Sequence, residues 1–262
     1  MPELSAFVLT AEEIHSWVGL VLWPLFRVAG LLSVMPVLGG GEVPVRVRVA
    51  LSLLITLMIV PSLGPMPAID PMSVDSVFIS MQQLLIGAAM GLLVMIAFSA
   101  VTMAGESIAI SMGLGFALMN DPQNGAQVPV VSQFYLLLTT LLFLALDGHH
   151  AILILLDTSF ILMPVGQPLG ADSFWIIVSW GAIVFYGALS IALPAMAAML
   201  TVNILMGVIT RAAPQLNIFS VGFPITMTIG FFAIMLSLDT YQIAFANLLE
   251  QTQETIVQLL RS

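Results

Sequence analysis

Long apolar runs alternate along the chain with short stretches rich in glycine, proline and charged residues. An apolar run of about 20 residues, rising about 1.5 Å per residue as a helix, matches a hydrocarbon core of about 30 Å. The pattern therefore predicts an all-α membrane protein of long, kinked hydrophobic helices and helical hairpins, forming a single integral membrane domain over residues 1–262. Six apolar segments are expected, at 17–38, 49–63, 77–104, 128–146, 174–209 and 218–238, with a weaker apolar stretch at 151–163.

The fifth segment is too long for one simple span. About 36 residues would form a helix of about 54 Å, which exceeds what tilting of a single span accommodates. Either the helix breaks near Pro194, or it continues beyond the membrane, where a protein partner would have to cover its apolar surface. Pro24, Gly87, Gly91 and Gly187 also lie inside apolar segments and predict kinks and close helix contacts.

Composition strengthens the membrane prediction and excludes other classes of protein. The chain is 60% hydrophobic and 7% charged, so its polar side chains are too few to cover a water-soluble core. Its net charge is -9, with five arginines and no lysine, which leaves no basic patch for nucleic acid or for surface attachment to anionic lipid. The absence of cysteine excludes disulfides and thiol chemistry, and the acidic start does not match a cleaved signal peptide.

The few arginines predict an orientation in the membrane. Arg46 and Arg48 follow the first segment and Arg211 follows the fifth, whereas the second and fourth connections carry aspartates. Because positive charges favour cytoplasmic connections, both ends of the chain are expected outside the cytoplasm.

Residues suited to catalysis are sparse. His149 and His150 follow Asp147 at the end of an apolar segment, with Asp157 about two helical turns later, a weak pattern for a metal site. Adjacent histidines on one helix point in different directions, and polar residues at a helix end near the interface explain them better. The chain also lacks a phosphate-binding glycine-rich loop and a recognisable nucleophile with its base. We therefore expect neither enzymatic activity nor a cofactor or metal.

Two charged residues fall at apolar positions. Arg27 lies inside the first segment, where an unpaired charge would cost roughly 3 kcal/mol or more, and Glu106 lies at the end of the third. Each is explained either by a partner inside a helix bundle or by a position lining a conduit, and the sequence favours neither.

The segment 105–125 is apolar but interrupted by glycines, and it ends in Asn-Asp-Pro. A regular helix across it is not expected, and irregular backbone at membrane depth is tolerated only when buried in protein or lining a cavity. An ordinary helix connection with core methionines and a gate are both compatible with these residues. The pore or plug candidates are Met112, Gly113, Leu114, Gly115, Phe116 and Met119.

The connection 211–224 combines one charge, two amide side chains and two prolines between long apolar segments. It fits a docking loop for a cytoplasmic partner and a plain connection equally well. The docking candidates are Arg211, Pro214, Gln215, Asn217 and Phe219.

Four stretches together resemble a known family: WPLFRVAGLLSVMPVLGGGEVPVRVRVAL, GESIAISMGLGFALMNDP, LDGHHAIL and RAAPQLNIFSVGFPITMTIGF. They are similar to the FliR-like subunits of flagellar export gates and to their relatives in virulence type III secretion. The resemblance runs from about residue 17 to about residue 238, and LDGHH and RAAPQLNIFSVGFP at their mutual spacing are its most specific parts.

The resemblance implies a passive subunit of the bacterial inner membrane, within the flagellar basal body. It would join FliP and FliQ subunits laterally to form a conduit for unfolded flagellar proteins, with part of the assembly raised toward the periplasm. By the same resemblance, 105–125 would be the plug of the closed conduit, and 211–224 would dock FlhB.

A different class remains as the alternative: a multi-pass secondary transporter or channel for small solutes. Such proteins place charged groups at broken helices near the membrane midplane, often in two related halves. This chain has Arg27 and few other such charges, and no paired halves are visible in its sequence.

Overall fold

A computed structural model describes residues 10–40, 43–64, 66–67, 69–115, 129–213 and 222–262, with the side chains of residues 11, 12 and 14 left aside. Regular structure in these ranges is helical, without strands, which confirms the predicted fold class. The helices are α1 (Ala11–Val34), α2 (Val45–Ile59, extended by a short 3-10 turn), α3 (Val74–Ser111), α4 (Val130–Ala145), α5 (Gly148–Leu162), α6 (Ala171–Trp180), α7 (Ile183–Ala212) and α8 (Phe223–Arg261).

Five of the helical stretches are long and apolar enough to cross a membrane, and the bent pair of α4 and α5 makes up to six. Each predicted apolar segment overlaps one of these stretches, and the weaker stretch corresponds to α5. Two helices extend well past their predicted C-terminal ends. Helix α3 continues to Ser111, into the segment where no regular helix was expected, and α8 extends beyond residue 238 to Arg261.

The overlong fifth segment is interrupted by a two-residue turn, but not at the proline, and Ala171–Ala212 remains one apolar stretch of 42 residues. Helix α6 ends at Trp180 and α7 begins at Ile183, while Pro194 lies inside continuous helix. The interruption falls at Gly181 and Ala182, where glycine is a weak helix former. A proline inside a membrane helix removes one hydrogen bond, which membrane helices tolerate when neighbouring groups satisfy the freed carbonyl.

The chain groups into two compact units, each assembled from separate stretches of sequence. Unit 1 comprises Met1–Met95, His149–Ser179 and Gln253–Ser262, and unit 2 comprises Ile96–Gly148 and Trp180–Thr252. Since neither unit is a continuous piece of sequence, these units are not domains in the usual sense, and the single domain remains a prediction.

Within unit 1, α1 packs against α2 and crosses α3 at glycines. A β-carbon on Gly30 would meet the backbone carbonyl of Leu84, and one on Gly87 would meet the carbonyl of Arg27. Only a residue without a side chain allows two helix backbones to approach this closely, as is common in membrane bundles.

Within unit 2, an aromatic cluster joins α3, α4 and α8. Phe98 makes edge-to-face contacts with Phe143 and Phe245, at centroid distances of 5.5 and 6.0 Å. Tyr135 and Tyr241 are 5.2 Å apart in the same geometry, which is the favoured arrangement for aromatic rings. These buried rings form the core that holds the three helices of this unit together.

Candidate functional site

The buried guanidinium of Arg27 makes several hydrogen bonds within unit 1. Its side chain is 0% exposed, and it donates three hydrogen bonds to different parts of the unit. Nε donates to Oε1 of Gln83 on α3 at 2.7 Å, and Nη1 donates to Oγ of Ser159 on α5 at 2.9 Å. Nη2 donates to the backbone carbonyl of Met163, just after α5, at 2.9 Å.

An aromatic ring also contacts the guanidinium of Arg27. The guanidinium carbon of Arg27 lies 4.1 Å from the centroid of the Phe160 ring, a distance typical of a cation–π contact. Ser159 in turn donates to the carbonyl of Leu156 at 2.6 Å, which leaves its oxygen lone pairs available to accept from Arg27. The contacts described for Arg27 are therefore neutral oxygens and a ring rather than a carboxylate.

The hydrogen bonds of Arg27 link helices to one another, and its side chain does not line an open space. The cation is enclosed and cross-links α1, α3 and the end of α5. Of the two explanations left open by the sequence, enclosure inside a bundle describes Arg27. Glu106, the other charge candidate, is half-buried in unit 2.

The partners of Arg27 were not identified from the sequence. Gln83 lies 56 residues from Arg27 and Ser159 lies 132 residues away, so no local pattern connects them. One signal was present: Gln83 is an amide in an otherwise apolar run, and a buried amide in a membrane segment requires a polar partner.

The predicted plug segment begins with a well-defined helix end in unit 2. Gly113 has φ +85°, its amide donates to the carbonyl of Ile110, and the amide of Leu114 donates to the carbonyl of Ala109, both at 3.0 Å. These two bonds around a left-handed glycine form a Schellman motif, which ends α3 and requires glycine at that position.

Met112, a plug candidate, is anchored rather than free at this helix end. It is 0% exposed and packs against Gly230 of α8, where a β-carbon would lie 2.6 Å from the Met112 methyl group. The carbonyl of the preceding Ser111 accepts from Nδ2 of Asn203 on α7 at 3.2 Å. Phe116 and Met119 lie outside the described residues.

An apolar cavity of about 440 Å³ lies beside this helix end. Leu114 lines it together with Val130, Phe134 and side chains of α8. Its lining is almost wholly apolar, which suits an acyl chain or an apolar side chain and gives no polar group for small-solute recognition.

The structure describes only some of the remaining site candidates. Arg211 lies exposed in the last turn of α7, where a cation interacts favourably with the helix dipole. Pro214, Gln215, Asn217 and Phe219 lie outside the described residues.

In unit 1 the rings of His149 and His150 are 4.2 Å apart, and Asp157 accepts from Oγ of Ser62 at 2.5 Å.

Helices of membrane length and a cation enclosed among neutral partners define a multi-pass α-helical membrane protein. A family described as "Bacterial export proteins, family 1" matches residues 18–252. The chain belongs to this family of bacterial export proteins.

Curated relatives from distant bacteria agree with the family match. The chain is 40% identical to the flagellar biosynthetic protein FliR of Escherichia coli (strain K12), over 84% of this chain and 85% of the relative. It is 30% identical to the protein of the same name from Aquifex aeolicus (strain VF5), over 87% and 88%. For the Bacillus subtilis (strain 168) protein the identity is 27%, over 91% and 95%. The prediction of a membrane component of the flagellar export apparatus, not an enzyme, is confirmed by these matches.

Proposed function

We propose that this chain is a structural and gating subunit of a flagellar type III protein-export gate in the bacterial inner membrane. In this proposal it forms part of the conduit through which unfolded flagellar proteins leave the cytoplasm. The observation that carries the proposal is the family match over residues 18–252, which covers every helix considered above at least in part.

The interior of the chain supports a passive role over transport of small solutes. A secondary transporter needs charged or polar groups exposed at a central binding site. Here the intramembrane cation Arg27 is fully enclosed by Gln83, Ser159 and Met163. The cavity near Leu114 has an almost wholly apolar lining.

The partners in this proposal are FliP and FliQ subunits alongside the chain, FlhB at 211–224, and exported flagellar proteins in transit. Support comes from the exposed side of the helices. In the most apolar windows of α2 and α8 only 22% of residues are buried within the chain, against 61% in α3. Lateral neighbours, whether lipid or protein, therefore have large helix surfaces to cover.

The gating part of the proposal concerns 105–125, in which 112–119 would obstruct the closed conduit. Met112 and Gly113 form the anchored start of this segment, so the obstructing residues would follow them. A deletion of 116–119 removes none of the residues that form the Schellman motif of α3 or its contact with Gly230.

We predict that a strain without its own copy of this chain secretes no flagellar proteins, and that the wild-type chain restores secretion. The 116–119 deletion should make the inner membrane leak small ions and dyes, because the obstruction is removed while the subunit still assembles. Secretion and dye uptake are measured in the same cultures. Restored secretion with unchanged permeability would refute the plug, and failure of the wild-type chain to restore secretion would refute the export role.

A further inference from the structure

A cavity of about 250 Å³ lies within unit 1, between the connection that follows α2 and the end of α5. The connection contributes Ser62 and Pro67, and the other side contributes Asp157, Phe160 and Pro164. The other side chains of the lining are apolar and belong to Leu63, Met66, Ile161 and Val165. Among the described residues that line this cavity, Asp157 carries the one charged side chain.

The polar groups at this cavity include more hydrogen-bond acceptors than donors. Oγ of Ser62 lies 2.5 Å from Oδ1 of Asp157 and 2.7 Å from the backbone carbonyl oxygen of Ile59. A serine hydroxyl has one hydrogen, so it donates to only one of these two oxygens at a time. The carboxylate can accept about four hydrogen bonds in all, so one hydroxyl does not satisfy it.

The end of α5 makes this part of unit 1 still more electronegative. The last carbonyls of a helix have no partner within the helix, and the helix dipole places partial negative charge there. Pro164 has no N–H, so it cannot donate to the carbonyl of Phe160 four residues earlier. Arg27 makes its three hydrogen bonds to other groups, so it does not supply a donor for Asp157. The cavity therefore suits a positively charged hydrogen-bond donor.

Exposed apolar surface runs from the cavity along both helices. On α5, Ile161 lines the cavity and Ile154 lies two turns earlier on the same face, and they are 76% and 67% exposed. On α2, Leu54 and Met58 precede Ser62 at intervals of four residues and are 59% and 79% exposed. Apolar surface of this kind suits acyl chains, whereas the acceptors at the helix ends suit a polar headgroup.

The composition of the lining favours an organic ammonium over a metal ion. Calcium takes six to eight oxygen ligands and magnesium six, while this lining offers one carboxylate and one side-chain hydroxyl among apolar side chains. A primary ammonium has three N–H donors, which match the surplus of acceptors, and its carbon substituents match the apolar walls.

We infer that this cavity binds the primary ammonium headgroup of a membrane lipid, with Asp157 as the charged acceptor. The acyl chains lie along the exposed apolar faces of α2 and α5, and the lipid phosphate extends toward water because the cavity lining offers it no cationic side chain. The inference does not depend on the proposed function, since it concerns a lipid site and not the export role.

The inference is tested by lipid binding to the whole chain in detergent, measured by native mass spectrometry as the fraction of protein that retains a lipid. The probes are phosphatidylethanolamine, phosphatidylcholine and phosphatidylglycerol with identical acyl chains. The ammonium of the second has no N–H donor, and the third has no ammonium. We expect phosphatidylethanolamine to bind about tenfold more tightly than either, the change in affinity that corresponds to one charge-assisted hydrogen bond.

Two variants and a matched control identify the acceptor. Asp157→Asn should weaken binding of phosphatidylethanolamine about tenfold, because the amide can still accept from Ser62 but has no charge. Asp172→Asn is the control, since Asp172 is exposed in the first turn of α6, in the same unit, and does not line the cavity. Ser62→Ala breaks the hydrogen bond to Asp157 and keeps the carboxylate, so it should bind this lipid at least as well as the unaltered chain.

Equal binding of the three lipids, or equal binding by the two aspartate variants, would overturn the site. Equal losses in Asp157→Asn and Ser62→Ala would also overturn it, because the hydrogen bond rather than the charge would then be what matters. Displacement of phosphatidylethanolamine by free ethanolamine at the same concentration would refute a lipid as the ligand. The comparison of lipids uses the unaltered chain, so it is decisive even where a variant does not fold.

Discussion

Replacing Arg27 by methionine should destabilise unit 1 by about 3 kcal/mol, because hydrogen bonds to a charged donor contribute about 1.5 to 3 kcal/mol each and their acceptors would remain buried. The carbonyl of Met163 and the amide oxygen of Gln83 would lose their donor in a place that water does not reach. For a chain of this size the melting temperature should fall by roughly 10 °C. Thermal unfolding of the detergent-solubilised protein measures this change.

Two further variants identify the cause. Arg46→Met removes an exposed arginine at the start of α2 and should change stability by less than about 0.5 kcal/mol. Gln83→Leu added to Arg27→Met should recover part of the loss, because replacing a buried polar pair by apolar groups is far less costly than leaving one member alone. Equal stability of the Arg27 and Arg46 variants would contradict the bracing role of the buried cation.

Gly87→Ala should have a comparable effect through packing. The added β-carbon would lie against the carbonyl oxygen of Arg27 and 2.8 Å from the amide nitrogen of Leu31. These are backbone atoms, which cannot move aside as a flexible side chain can, so α1 and α3 must separate. We expect a loss of about 3 kcal/mol, at the upper end of ordinary overpacking, measured by the same thermal unfolding.

Gly207→Ala is the matched control for this substitution. Gly207 also lies inside a helix, but a β-carbon there would meet nothing within 4 Å. Alanine is the better helix former, so this variant should be neutral or more stable by about 0.5 to 1 kcal/mol. If both glycine variants behaved alike, close approach of α1 and α3 would not be what requires Gly87.

The helices could be predicted because membrane-length apolar runs are visible in one stretch of sequence. The same criterion misjudged helix ends. Helix α8 continues through 239–261 because its exposed face is polar while residues such as Phe245 and Leu259 are buried, a helical period that a search for apolar spans does not detect. Helix α3 runs past Glu106 to Ser111 because its real stop signal is Gly113 in the left-handed conformation.

The sequence identified single residues of the candidate site but not the contacts between them. A charge among apolar residues made Arg27 conspicuous, but its acceptors lie on helices that only the tertiary fold brings near. Met112 had the right character for a soft obstruction, yet its neighbour Gly230 is distant in sequence, and that contact buries it. Local pattern identifies which residues are unusual, and packing decides what they contact.

Native mass spectrometry of the chain purified from detergent-solubilised membranes, with and without co-expressed FliP and FliQ subunits, tests the role as an export-gate subunit most directly. We expect a defined hetero-oligomer that contains this chain and forms only when the partners are present. A stable monomer or homo-oligomer that is unchanged by either partner would contradict the role as an export-gate subunit.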